Sequence, residues 1–118
     1  MDTLYLTGIK RSTTQMGTRI DYQYDAPDCL NEYIKGEPLF VEFPCDMSDV
    51  PDEILTIPFV GIMATATILL DVEIKVPCLE NNFLQSMDRV AKVYKKMYPK
   101  AGLNLTVHAE KSSRKRVL

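Results

Sequence analysis

The sequence predicts an α+β domain: a small mixed, mainly antiparallel sheet of about five strands, with two helices packed on one face. Three observations predict it. Residues 17–25 and 71–76 alternate apolar and polar side chains, as half-buried strands do. Residues 54–70 form one long uncharged stretch. Residues 80–98 repeat apolar positions every three or four, the period of a helix that buries one face.

Taken in order, residues 3–9 (Thr-Leu-Tyr-Leu-Thr-Gly-Ile) are rich in strand formers, and residues 17–25 follow after a polar loop. Two antiparallel strands are expected there. Ile20, Tyr22 and Tyr24 share one face, and Arg19, Asp21 and Gln23 the other. A short turn or helix around Pro27 to Tyr33 leads to a third strand over 38–43, which Pro44 ends. The uncharged stretch 54–70 is at the lower limit for a membrane span, contains Pro58 and Gly61, and has acids at both ends, so it reads as a core helix. Asp49, Asp52 and Glu53 suit its N-terminus, and Pro58 predicts a kink or a start near Ile57. A fourth strand over 71–76 is ended by Pro77. The second helix carries Phe83, Leu84, Met87, Val90, Ala91, Tyr94, Met97 and Tyr98 on its apolar face, with Asp88 spaced to pair with Lys92. Pro99 and Gly102 stop it, and Leu103, Leu105 and Val107 open a fifth strand.

A length of 118 residues, 46% hydrophobic and 25% charged, fits one globular domain. The expected domain is 1–110, with 111–118 a basic tail or the start of a linker to another domain. The net charge of −2 divides into +4 over 111–118 and −6 over 1–110, a balance that does not make a nucleic-acid-binding face. Three widely spaced cysteines, Cys29, Cys45 and Cys78, form no disulfide framework or zinc motif, and the first residues lack a secretory pattern. The expected compartment is the cytoplasm, with no membrane and no nucleic acid as partner.

No motif supplies a catalytic set. His108 is the single histidine, without a nucleophile motif beside it. Asp46, Asp49, Asp52 and Glu53 lack the spacing of a calcium loop and read as helix-start electrostatics. Asp25 and Asp28 read as turn residues. No glycine-rich phosphate cradle is present. No catalytic, cofactor-binding or metal-binding residue is therefore assigned, and no cofactor is expected.

Several features in order carry a resemblance: Val50-Pro51, then Ile57-Pro58-Phe59 opening an apolar helix, then Leu70-Asp71-Val72-Glu73-Ile74, Phe83-Leu84, and Tyr98-Pro99 before a last strand. The chain resembles the N-terminal part of bacterial proteins whose C-terminal part is a PP-loop ATP pyrophosphatase, an adenine-nucleotide alpha-hydrolase-like domain. That family's Ser-Gly-Gly-x-Asp-Ser loop has no match in residues 1–118, and Arg116-Val117-Leu118 stands where the preceding strand would begin. The resemblance implies a non-catalytic accessory or substrate-presenting domain associated with an ATP-using PP-loop domain. A stand-alone interaction or homodimerisation module is the alternative.

Overall fold

The computed structural model describes residues 2–113. Its elements are β1 (Asp2–Thr13), β2 (Thr18–Asp25), α1 (Asp28–Ile34), β3 (Leu39–Phe43), α2 (Asp52–Leu70), β4 (Val72–Glu80), α3 (Asn81–Met97) and β5 (Val107–Ser113). The five strands form one mixed sheet in the order β3-β2-β1-β4-β5. The β1–β2 and β2–β3 pairs are antiparallel, and β1–β4 and β4–β5 are parallel. The antiparallel ladders hold the larger share of paired residues. The expected α+β fold is present, with three helices where two were expected, because the segment after Pro27 closes into the two-turn helix α1.

Alternation places the core. Leu4 and Leu6 on β1, Ile20 and Tyr22 on β2, and Val72, Ile74 and Val76 on β4 all point to the helical side and are buried. They meet Leu30 of α1 and Leu55, Phe59, Val60 and Met63 of α2. Phe59 is 0% exposed, its ring centroid 5.6 Å from that of Tyr22 and 6.0 Å from that of Tyr24. The Tyr22 hydroxyl donates to the Leu55 carbonyl at 2.5 Å, so the ring is buried with its polar end satisfied. Helix α2 begins at Asp52, earlier than Pro58 predicted, and continues through that proline. Asp52 and Glu53 place negative charge in its first turn, where the helix dipole favours it.

Both ends of β4 are joined tightly to helices. Asp71 alone connects α2 to β4, in the left-handed region (φ 55), and its carboxylate accepts from the Asn104 amide at 2.9 Å. At the other end the Glu80 carboxylate caps α3, accepting from the backbone N–H of Asn82 (2.8 Å) and Phe83 (2.9 Å). Pro77 does not end β4. The Ile74 N–H points to β5, donating to the Thr106 carbonyl at 2.9 Å, so by alternation the position of the missing Pro77 N–H faces β1. The β1–β4 ladder stops at Tyr5–Lys75, and the proline therefore costs no ladder bond.

The fifth strand also departs from expectation. It starts at Val107, and Leu105 is buried just before it. It runs on through Lys111, Ser112 and Ser113, which register with Cys78, Leu79 and Glu80. Residues 111–113 thus belong to the sheet, and the remainder of the expected tail lies outside the described residues. Helix α3 differs in depth. Phe83, Leu84 and Met87 are half-buried against the core, and no α3 residue is fully buried.

Removing residues 111–118 should lower the melting temperature, because three registered β4–β5 positions go with them. A loss of about 1 kcal/mol corresponds to roughly 4 °C in a domain of this size. Circular dichroism melts of chains ending at Glu110 and at Ser113 check this, with the shorter chain the less stable.

Candidate functional site

The face of the sheet opposite the helices is open and carries the charged half of each strand. Its centre is Glu73 on β4. The Thr3 hydroxyl donates to Glu73 Oε1 at 3.0 Å, Lys75 Nζ lies 3.6 Å from Oε1, and His108 Nε2 lies 3.4 Å from Oε2. The Thr3 hydrogen bond first, then the neighbouring charges of Lys75 and His108, hold the Glu73 carboxyl below its ordinary value against a partial desolvation that raises it. Lys75 lies 5.8 Å from the Tyr5 ring centroid, and a shallow cavity of about 390 Å3 opens beside Tyr5, Lys75, Pro77 and His108. On the other half of the sheet Arg19 pairs with Asp21 at 3.0 Å and stacks on Phe40, 3.8 Å from its ring centroid. These charges are paired among themselves. His108, the one histidine, is an exposed partner of a carboxylate here, with no nucleophile presented to it among the described residues.

The remaining sequence candidates are dispersed. The Cys29 thiol sits 3.4 Å from Asp2, and desolvation, with that carboxylate's hydrogen bond and charge, pushes its pKa up. Burial likewise raises the half-buried Cys78. Both shifts disfavour the thiolate, the nucleophilic form of a cysteine. Asp46 accepts from the Ser48 N–H at 2.9 Å, and the Ser48 hydrogen bonds lower its pKa. Asp52 pairs with Arg11, whose guanidinium also donates to the Ser48 carbonyl at 3.0 Å and ties β1 to the start of α2. Among the described residues no three His, Cys, Asp or Glu side chains are grouped to hold a metal ion.

The helical side is different in kind. Ile54, Pro58, Gly61, Ile62, Thr65 and Leu69 recur at helical spacing on the outer side of α2, and after Glu53 the helix has no charged residue. Ile62 is 47% exposed and Leu69 72%. A surface helix with one face in the core ordinarily carries charge on the other. This one is apolar all round, although only its inner face is covered. Composition alone would let α2 cross a membrane, a test that core helices also pass. Between α2 and α3 the small residues Gly61, Ala64 and Thr65 face Met87, Val90 and Tyr94 across a cavity of about 140 Å3.

Beyond Ala91, α3 leaves the body. Every residue from 92 to 102 is exposed, Val93, Tyr94, Met97 and Tyr98 among them. A groove of about 450 Å3 lies along Arg89, Val90, Val93, Tyr94, Met97 and Tyr98. Sequence reasoning placed Val90, Tyr94, Met97 and Tyr98 on an apolar face and α2 in the core. What it missed is that the sheet is too small to cover either helix completely. No protein-family model, curated protein or solved structure matches the chain.

Two titrations test these contacts. Glu73 has a depressed pKa, so its stabilising contribution is present above its ordinary 4.5 and is lost as pH falls through the lower folded value. Urea melts of Glu73→Gln and the unaltered chain should therefore differ at neutral pH and converge in acid. Tyr22 is the opposite case. Burial pushes its phenol up to about 12 from 10.0, so its contribution is intact below pH 10 and lost as pH rises through about 12. Tyr22→Phe should cost about 1 kcal/mol at neutral pH, from the hydrogen bond to Leu55, and should lack that alkaline loss in a circular dichroism titration.

Proposed function

We propose that this chain is a non-catalytic, cytoplasmic accessory domain that packs against a partner through the outer face of α2, and that the partner is an ATP-using PP-loop domain. The observation that carries the packing role is the uncharged stripe from Ile54 to Leu69 on a helix whose opposite face already fills the core. Exposed apolar side chains are ordinary when scattered. Seventeen consecutive helical residues without one charge are not, since the outer side forgoes hydration that any lysine or glutamate would provide.

The identity of the partner rests on the resemblance. Its residues fall at packing positions: Phe59 in the core, Leu70 to Ile74 at the junction into β4, Phe83 and Leu84 against the core, and Tyr98-Pro99 at the end of α3. They support a shared scaffold. The non-catalytic reading is supported by the occupation of the candidate groups, with Lys75 and His108 each paired to Glu73 and Arg11 to Asp52.

A homodimer is the second reading, favoured by the same stripe. Two uncharged α2 faces can meet without placing like charges together, as a two-fold interface requires.

Ile62→Asp and Leu69→Asp replace exposed side chains and should leave the melt within about 0.5 kcal/mol of the unaltered chain. The unaltered chain should elute as a monomer by size exclusion with light scattering and bind a PP-loop domain supplied in trans, and both variants should lose that binding. A dimer that the two substitutions dissolve would establish the second reading instead. Titration of ATP with magnesium into the isolated chain should give no binding heat. Micromolar affinity would overturn the non-catalytic reading.

A further inference from the structure

The charge of this molecule is strongly divided. Residues 2–88 hold fifteen acidic and five basic side chains, a net −10, whereas residues 89–100 hold five basic side chains, Arg89, Lys92, Lys95, Lys96 and Lys100, and no acid. Lys92, Lys95 and Lys96 accompany the exposed Val93, Tyr94 and Met97 on the part of α3 beyond Ala91, with Arg89 just before it and the exposed Tyr98 and Lys100 just after the helix. Helical spacing sets Arg89, Val93, Lys96 and Met97 along one flank, cations beside apolar side chains.

We propose that this half of α3, with the turn that follows it, is a contact surface for an anionic lipid bilayer. The expectation of no membrane partner rested on α2 being unsuited to span one. Peripheral contact through α3 is a separate matter. A basic amphipathic helix lies in the headgroup region with its apolar side chains dipping toward the acyl boundary. Met97 and Val93 are placed to do this, and tyrosine rings such as Tyr94 and Tyr98 favour the interface because one end is apolar and the other hydrated. Lysine stems can lie along the apolar layer while their ammonium groups reach the headgroups. The acidic remainder of the molecule would be repelled by the same surface, so the charge division fixes which side faces the lipid.

Other occupants fit less well. A second copy presenting the same surface would set five cations against five. A copy presenting its acidic body would make a head-to-tail contact that does not close. An acidic protein satisfies the charge, but protein interfaces favour arginine, whose planar fork matches carboxylates, and are poor in lysine. Four of the five cations here are lysines, point charges on flexible stems suited to a diffuse negative field.

Vesicle co-sedimentation of the intact chain tests the proposal. With phosphatidylcholine vesicles containing about a third phosphatidylserine the chain should sediment at low salt and be released near 0.5 M salt, since the attraction is screened. With phosphatidylcholine alone it should stay in solution. Each α3 cation removed should weaken binding roughly fivefold, so Lys92→Glu with Lys96→Glu should weaken it well over tenfold. Met97→Ser with Tyr98→Ser should weaken it without changing the charge. All four positions are exposed, and unchanged melts will confirm that the variants fold. Arg114→Gln, Lys115→Gln and Arg116→Gln together should leave most of the binding. Equal sedimentation with both vesicle types, full binding by the Lys92/Lys96 variant, or loss of binding in the tail variant would each overturn the proposal. So would capture by an acidic protein domain under conditions where anionic vesicles leave the chain in solution.

Discussion

One contact organises this molecule, the seating of the inner face of α2 on the centre of the sheet. Phe59 enters between Tyr22 and Tyr24, and Leu55, Val60 and Met63 extend the same seam over Leu4, Ile20 and Ile74. Each such side chain, fully removed from water, contributes about 1.5–3 kcal/mol, an appreciable part of the 5–15 kcal/mol by which a domain is stable. The seam determines which side of each strand is apolar, and so leaves the charged residues on the open face. It also determines which stripe of α2 is left over.

That open face shows how a sheet can remain uncovered. Its charges occur as short, mutually satisfied groups: Arg19 with Asp21 and Phe40, and Glu73 with Thr3, Lys75 and His108. An antiparallel half with one wet face is ordinary. The parallel half is usually covered on both sides, and here the hydrated ladder of Glu73, Lys75 and His108 stands where a second layer of helices would. The molecule therefore has three surfaces of distinct character: one polar and internally paired, one neutral along α2, and one basic along the end of α3.

The strand and helix periods were legible in the sequence, and so was the fold class. Tyr22 and Ile20 alternate with Asp21 and Arg19 as their burial does, and α3 was declared by its spacing. The errors arose where pairing or coverage decides the outcome. Pro77 reads as a stop, yet it lies inside β4 because the β1–β4 ladder has already ended at Tyr5–Lys75. Leu103 and Leu105 alternate like a strand, but the ladder opposite β4 begins only at Val107. Lys111 to Ser113 have the composition of a linker and are held by backbone hydrogen-bonding, which ignores side-chain polarity. Hydropathy marked α2 as apolar but could not say that half of its circumference stays uncovered. That depends on the width of the sheet and on how far α3 stands from α2, neither of which is a property of any local segment.

The position of β1 in the middle of the sheet also shapes how the chain reaches this structure. The β1–β2–β3 meander is built from neighbours in sequence and can form as soon as it is synthesised. The parallel partner of β1 arrives late, as the Thr3–Glu73 contact joins residues 70 positions apart. Until then β1 has a free edge, and its buried face lacks the cover of α2. Closing so long a loop is slow relative to forming a hairpin. The single-residue link at Asp71 ties the two late events together, since once α2 settles on the meander it delivers β4 alongside β1. The helix that leaves the folded molecule with an exposed neutral stripe is thus also the one that shields the nascent sheet from pairing with another chain.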